Sequence, residues 1–155
     1  MRQSTQEILA QLEHELTQAE RMVLLADPNW HSSVPEAGGV YAIWDRGTST
    51  MVYVGETCNL QHRFGDFGRI ANHTFRRKVA TILRLGTKDE VRLSEHISQK
   101  YEITFLPLDF GRKELEEYLL LRWETTVMNK PPVRLKLSQN YKWLIDRLLE
   151  ERVYD

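Results

Sequence analysis

The chain is expected to fold as an α+β domain: a small three-stranded sheet, antiparallel or mixed, flanked by helices, with a further helix at each end. Three observations lead there. Two short β-rich runs, "GVYAIWD" and "MVYVGE", are separated only by "RGTST" and read as an antiparallel hairpin. A third such run, "YEITFLPL", stands alone between helical stretches. Around these runs the apolar residues recur at spacings of three and four, the period of helices with one buried face. With 155 residues the chain has enough material for one well-filled core, so a single domain over 1–155 is expected.

The elements follow in order. "STQEILAQLEHELTQAERMVLLA" opens with Ser4 and Glu7 in capping-box spacing, and Ile8, Leu12, Leu16, Ala19 and Val23 give it an amphipathic helical stripe. "DPNWHSSVPEAGG" is a loop by its Pro, Asn, Ser and Gly content. After the hairpin, "NLQHRFGDFG" predicts a short helix capped by Asn59 and broken by glycines. "HTFRRKVATILRLG" predicts a basic helix buried through Phe75, Val79, Ile82 and Leu83, and "KDEVRLSEHISQK" a more polar one. The lone strand leads into "GRKELEEYLLLRWETTVMN", a long helix expected to run to the prolines of "NKPP". "SQNYKWLIDRLLEE" predicts the last helix.

Composition narrows the function classes. The hydrophobic and charged fractions, 41% and 28%, are those of a globular protein in water, and no apolar run reaches the length of a membrane span. "MRQSTQEILAQLEHEL" lacks the apolar core of a secretion signal, and Cys58 is the single cysteine, so a reducing cytoplasm is the expected setting. An intrachain disulfide and a thiolate metal cluster are both ruled out by that count. Motifs for a P-loop, for zinc spacing and for a Gly-x-Ser-x-Gly elbow are missing. Charge is unevenly placed: between Gln61 and Lys88 stand seven basic residues and one acid, whereas the first 37 residues hold two bases and six acids. Such a basic segment suits a polyanion, and solvated helix faces share the same look.

The polar residues left to carry chemistry are Tyr41, Tyr53, Arg63, His73, Glu117 and Asn129. Tyrosines on paired strands face each other or lie diagonally within reach, so Tyr41 and Tyr53 can share one face of the hairpin. Each has an ordinary reading as well. A tyrosine is commonly core, Glu117 is an exposed acid on a helix, Asn129 a helix terminator, and His73 a surface histidine at a helix start.

"GVY" at Gly39–Tyr41 and "YVG" at Tyr53–Gly55 resemble the two signature tripeptides of the GIY-YIG nuclease superfamily, at the start and end of a hairpin. Arg63, ten positions after Tyr53, matches that family's arginine; Glu117, twelve positions before Asn129 and its neighbouring prolines, matches its acid, a spacing that Glu116 misses. The resemblance covers about 38–132 as a nuclease core, with 1–37 and 133–155 as helical extensions. It implies hydrolysis of DNA phosphodiester bonds by a single-metal mechanism, with RNA left open beside DNA and no membrane partner. Glu117 would hold one Mg²⁺ or Mn²⁺, Arg63 would neutralise the phosphoryl group, and Tyr41 would take the proton of the attacking water. Tyr53 would orient water or phosphate, and Asn129 would hold the local loop or the acid. Gly55 would end the strand and let backbone and Arg63 approach a phosphate.

Two positions depart from the family pattern. Glu56 stands where many members have lysine, and Phe67 where several have Tyr or His, a function His73 is expected to take over from the next helix. Arg69, Arg76, Arg77, Lys78 and Arg84 are the expected phosphate contacts. Trp30, Trp44, Trp123 and Trp143 are read mainly as packing residues. Specificity would come from this small body, a homodimer or a separate partner. The competing reading is a nucleic-acid- or protein-binding module on the same fold with cleavage lost.

Overall fold

The structure, a computed structural model, describes residues 1–69 and 72–154, without the side chains of 153 and 154. Its centre is an antiparallel sheet of four strands in the order β1-β4-β2-β3, formed by Met22–Val23 (β1), Gly39–Asp45 (β2), Met51–Thr57 (β3) and Tyr101–Pro107 (β4). The fold class is therefore α+β as expected, with one strand more than the sequence suggested. The addition is β1, two residues that pair with Ile103 and Glu102 of β4. They lie where helical periodicity was expected to continue. The first helix, Gln3–Gln18 (α1), stops short of them, and the backbone at Ala19 turns extended. Nor does a capping box form, since Arg2 occupies the N-cap without a side-chain hydrogen bond.

Along β2 the side chains alternate between two cores, which is why the strand is buried almost throughout. Val40, Ala42 and Trp44 face one apolar cluster, shared with Leu9 and Leu16 of α1, with Leu115 and Leu119 of α5 (Arg112–Arg122), and with Leu144 of α7 (Lys142–Tyr154). Tyr41 and Ile43 face another, filled by Phe64 of α2 (Leu60–Gly65), Phe75 and Val79 of α3 (Thr74–Leu83), and Leu93 and Ile97 of α4 (Glu90–Lys100). The sheet is thus a middle layer between two helical layers, and both chain ends contribute to its first core.

The stripe of α1 holds at Leu16, which is buried, and at Leu12, which packs against the first core, but it begins at Leu9 and leaves Ile8 58% exposed. On α3, Phe75 and Val79 are buried as expected, but Ile82 is 66% exposed and Ala80 lies inside in its stead. The long helix toward the prolines ends early, at Arg122. From there the chain follows the outer edge of β3: Thr126 Oγ1 donates to Met51 O at 2.7 Å and Met128 N donates to Val52 O at 2.7 Å. Pairing with a strand competes successfully with further helix. A four-residue helix, Val133–Lys136 (α6), was not legible from the sequence. Among the described residues, no helix is long and apolar enough to cross a membrane.

Candidate active site

The hairpin sets the first two groups. β2 and β3 pair so that Tyr41 is opposite Gly55 and Ile43 opposite Tyr53, which puts the two tyrosines diagonally on one face. Their rings lie 6.4 Å apart and nearly parallel, at 20°. Gly55 has a steric role here, not a terminating one: β3 continues to Thr57, and a Cβ at position 55 would overlap Cζ and Oη of Tyr41. Removing that one side chain lets the phenol lie across its partner strand.

His73 completes the pair from the neighbouring layer. It is the N-cap of α3, with extended backbone, and its Nδ1 accepts the N–H of Phe75 at 3.0 Å. Its Nε2 is 2.9 Å from Tyr41 Oη. A neutral imidazole has one N–H, and Nδ1 is committed as an acceptor, so Nε2 carries the proton and donates it to the Tyr41 oxygen. The ring is fully buried and stacks on Phe67 at 3.8 Å. Phe67 thus supports His73 as a flat apolar platform. Burial, with the Arg63 and Arg77 charges nearby, lowers the His73 pKa to about 3, so the ring is neutral across the physiological range.

Arg63, projected from α2, sits close enough to Tyr41 for its charge to act on the phenol. Its Nη1 donates to Asp66 Oδ2 and to Asn72 O, both at 3.2 Å, which fixes the guanidinium at the mouth of the site. The Tyr41 phenol is nevertheless raised above its ordinary value, first by burial and then by Tyr53, with Arg63 acting against both. Tyr53 is also raised, chiefly by burial, while the Arg63 charge opposes the shift.

The acid that reaches this group is Glu116, one residue before the one that the spacing selects. Its Oε2 accepts the N–H of Glu56 at 2.8 Å, and its charge acts on both Tyr41 and Tyr53. Glu117 is turned one position round α5, where its charge acts on Tyr141. The reason is helical phase. With Leu115 and Leu119 locked into the first core, position 116 faces the end of β3 and position 117 faces α7. Burial, then Glu56 and Glu117, push the Glu116 carboxyl up to about 7, although the Glu56 N–H pulls it down.

Of the two roles expected for Asn129, it takes the first, holding the local chain, and among the described residues it hydrogen-bonds to no acid. It accepts the Val54 N–H at 3.4 Å and donates to Val54 O at 2.6 Å, pairing with β3 as a strand would. Arg76 is not a phosphate contact: it is 0% exposed, and its guanidinium donates to Glu90 Oε2 at 2.6 Å, Phe67 O at 3.1 Å and Ser94 Oγ at 2.9 Å. Its position on α3 points between the 3-10 turn Asp66–Gly68 and the start of α4, so the charge tethers these two segments. Arg77 and Lys78 do face outward beside Thr74; Arg69 and Arg84 are exposed, the latter in a left-handed conformation (φ 57°) at the end of α3.

Sequence reasoning missed Glu116 and Arg112. Arg112 Nε donates to Glu56 Oε2 at 3.4 Å, and its guanidinium passes directly over Gly38, where a Cβ would overlap it. A cation therefore stands beside Glu56. The available signal was the i,i+4 spacing of Arg112 and Glu116, which puts both on one side of α5. Among the described residues there is no group of three or more His, Cys, Asp or Glu side chains arranged to hold a metal. No family model matches the chain, and no curated protein matches it either.

Proposed function

We propose that this chain is a metal-dependent endonuclease that hydrolyses DNA phosphodiester bonds. The observation that carries the reading is the Tyr41 oxygen facing the His73 Nε2–H, with the Arg63 charge and Tyr53 alongside and Glu116 across from it. The His73 N–H and the Arg63 charge favour a phenolate, against the burial that favours the phenol. Once Tyr41 has given its proton to solvent, both act on the negative oxygen, which can then take a proton from an attacking water. Arg63 also lies at the mouth, where its planar fork suits two phosphoryl oxygens. His73 stays neutral throughout and serves as a donor, not as the base.

The donor set fits one hard cation. Glu116 offers a single carboxylate, half-buried, with Oε1 in no hydrogen bond among the described residues and an affinity for protons that a cation would relieve. Mg²⁺ and Mn²⁺ accept such a ligand when water and phosphate oxygens supply the rest. When bound, the ion would polarise the phosphate and stabilise the leaving oxygen. The resemblance of Gly39–Tyr41, Tyr53–Gly55 and Arg63 to the GIY-YIG nucleases supports the same chemistry.

A binding module without cleavage draws on a specific observation of its own: both Tyr41 and Glu116 favour their protonated forms more than free side chains do. Supercoiled plasmid, incubated with Mg²⁺, Mn²⁺ or EDTA, separates the two. The nuclease reading expects metal-dependent nicking that is lost in Glu116→Gln and Arg63→Ala and kept in Glu117→Gln. Salt-sensitive DNA binding without any nicking would favour the module.

A further inference from the structure

Beyond Tyr53, on the outer side of α3, lies a hollow of about 520 Å³. Thr74, Arg77, Lys78 and Thr81 form its polar rim, and Ile82 and Met128 give it an apolar floor. It adjoins the reactive groups: Thr74 directly follows the His73 cap, Met128 pairs with Val52 beside Tyr53, and the Arg77 charge acts on Tyr53 and on His73. Arg77 Nη2 also donates to Thr74 Oγ1 at 3.0 Å, which holds that edge of the rim in place.

Rim and floor ask for different things. Cations and hydroxyls are sufficient to follow the phosphates of a duplex, and apolar surface gains nothing from them. Yet Ile82 is left 66% exposed on the same helix face as the cations, and Met128 is brought to it by the segment that pairs with β3. A flat apolar group joined to an anion satisfies both parts. In nucleic acid that group is a base out of the stack, because a stacked base has both faces covered by its neighbours. The volume falls in the range of about 300–1,000 Å³ that holds one small ligand.

We propose that this hollow receives one unpaired nucleotide next to the scissile phosphate, its base on Ile82 and Met128 and its phosphate at Arg77 and Lys78. The inference rests on the nuclease reading and makes the preferred substrate a DNA strand that is single-stranded or frayed at the cut. Continuous duplex would meet the rim alone.

The test uses the full chain carrying Glu116→Gln, so that substrate is bound and not cut. Fluorescence anisotropy compares a labelled duplex with the same duplex bearing three unpaired nucleotides in one strand. The opened duplex should bind about tenfold more tightly, the worth of roughly one stacked base. Adding Ile82→Ser should erase that preference and leave duplex affinity unchanged; Ile82→Leu should keep it. Lys78→Gln should weaken both DNAs. Ile82 is exposed, so the folded state tolerates these changes, and circular dichroism checks this. Equal affinity for the two DNAs, or a preference that survives Ile82→Ser, overturns the inference and leaves the nuclease reading standing. Failure of the parent protein to bind either DNA brings down both.

Discussion

His73 Nε2 lies 2.9 Å from Tyr41 Oη, and the proton between them belongs to His73, because Nδ1 of the same ring is occupied as acceptor for Phe75 N–H. The cap of α3 therefore sets the tautomer, and the tautomer sets what the tyrosine feels. His73→Asn separates the two roles: an asparagine oxygen can still cap α3, but no N–H reaches Tyr41. Such a variant should keep its fold and lose activity by about 100- to 1,000-fold, the order found when a single preorganised donor to a developing anion is removed. A plasmid-nicking time course with circular dichroism as the folding control measures this.

Activity should rise through a pH near 7, where Glu116 loses its proton. Proton and metal compete for that carboxylate, so raising Mg²⁺ from about 1 to 20 mM should move this acid limb to lower pH. His73, already neutral above about 3, adds no limb near 6.5. Initial rates across pH 5.5–9 at the two metal concentrations decide the point; a limb indifferent to Mg²⁺ would remove Glu116 from the metal.

The same carboxyl has a consequence for stability. Because its pKa in the folded chain lies above the unfolded value, the folded state holds more protons between about pH 4.5 and 7, and stability falls as pH rises through that window. Glu116→Gln should abolish this term. Its Tm should match the parent near pH 4.5 and exceed it at pH 8. Thermal melts at the two pH values are sufficient.

Gly55→Ala puts a methyl group into the Tyr41 ring. Overpacking of this kind costs about 1–3 kcal/mol, and the displaced phenol should also leave the His73 N–H. A lower denaturation midpoint together with a large loss of nicking is expected. A stable variant with full activity would mean that Tyr41 can work from elsewhere.

Arg76 and Lys78 should behave oppositely. Arg76→Gln breaks an enclosed ion pair and is expected to destabilise by about 3 kcal/mol, less the share that water restores to the partly exposed Glu90. The salt dependence of DNA binding should not change. Lys78→Gln should leave stability alone and reduce the slope of log K against log salt by about one. Urea melts and a salt titration of anisotropy read the two effects.

How much of this was legible in the sequence depended on the range of the interaction. The hairpin, the Asn59 cap and the lone strand announce themselves locally through alternation, turn residues and a side chain that bonds three residues on. Tyr41, Tyr53 and Arg63 could be picked out because a resemblance fixed their order. Glu116 could not, since one residue of helical phase depends on which leucines the sheet accepts. The burial of Arg76 depends on Glu90 and Phe67, partners nine to fourteen residues away that no periodicity marks. Asn129 looked like a stop signal for a helix that had ended seven residues earlier, at Arg122.

The Thr126–Asn129 segment also decides how copies of this protein can meet. A bare outer strand offers a row of backbone donors and acceptors to any passing chain. Here that row on β3 is taken by Thr126, Met128 and the Asn129 amide, while the opposite border of the sheet is a strand of only two residues. The β3 border therefore leaves little template for another chain, and self-association by sheet extension there, whether into dimers or fibrils, is disfavoured. Two copies that cooperate to cut both strands would have to meet away from that border.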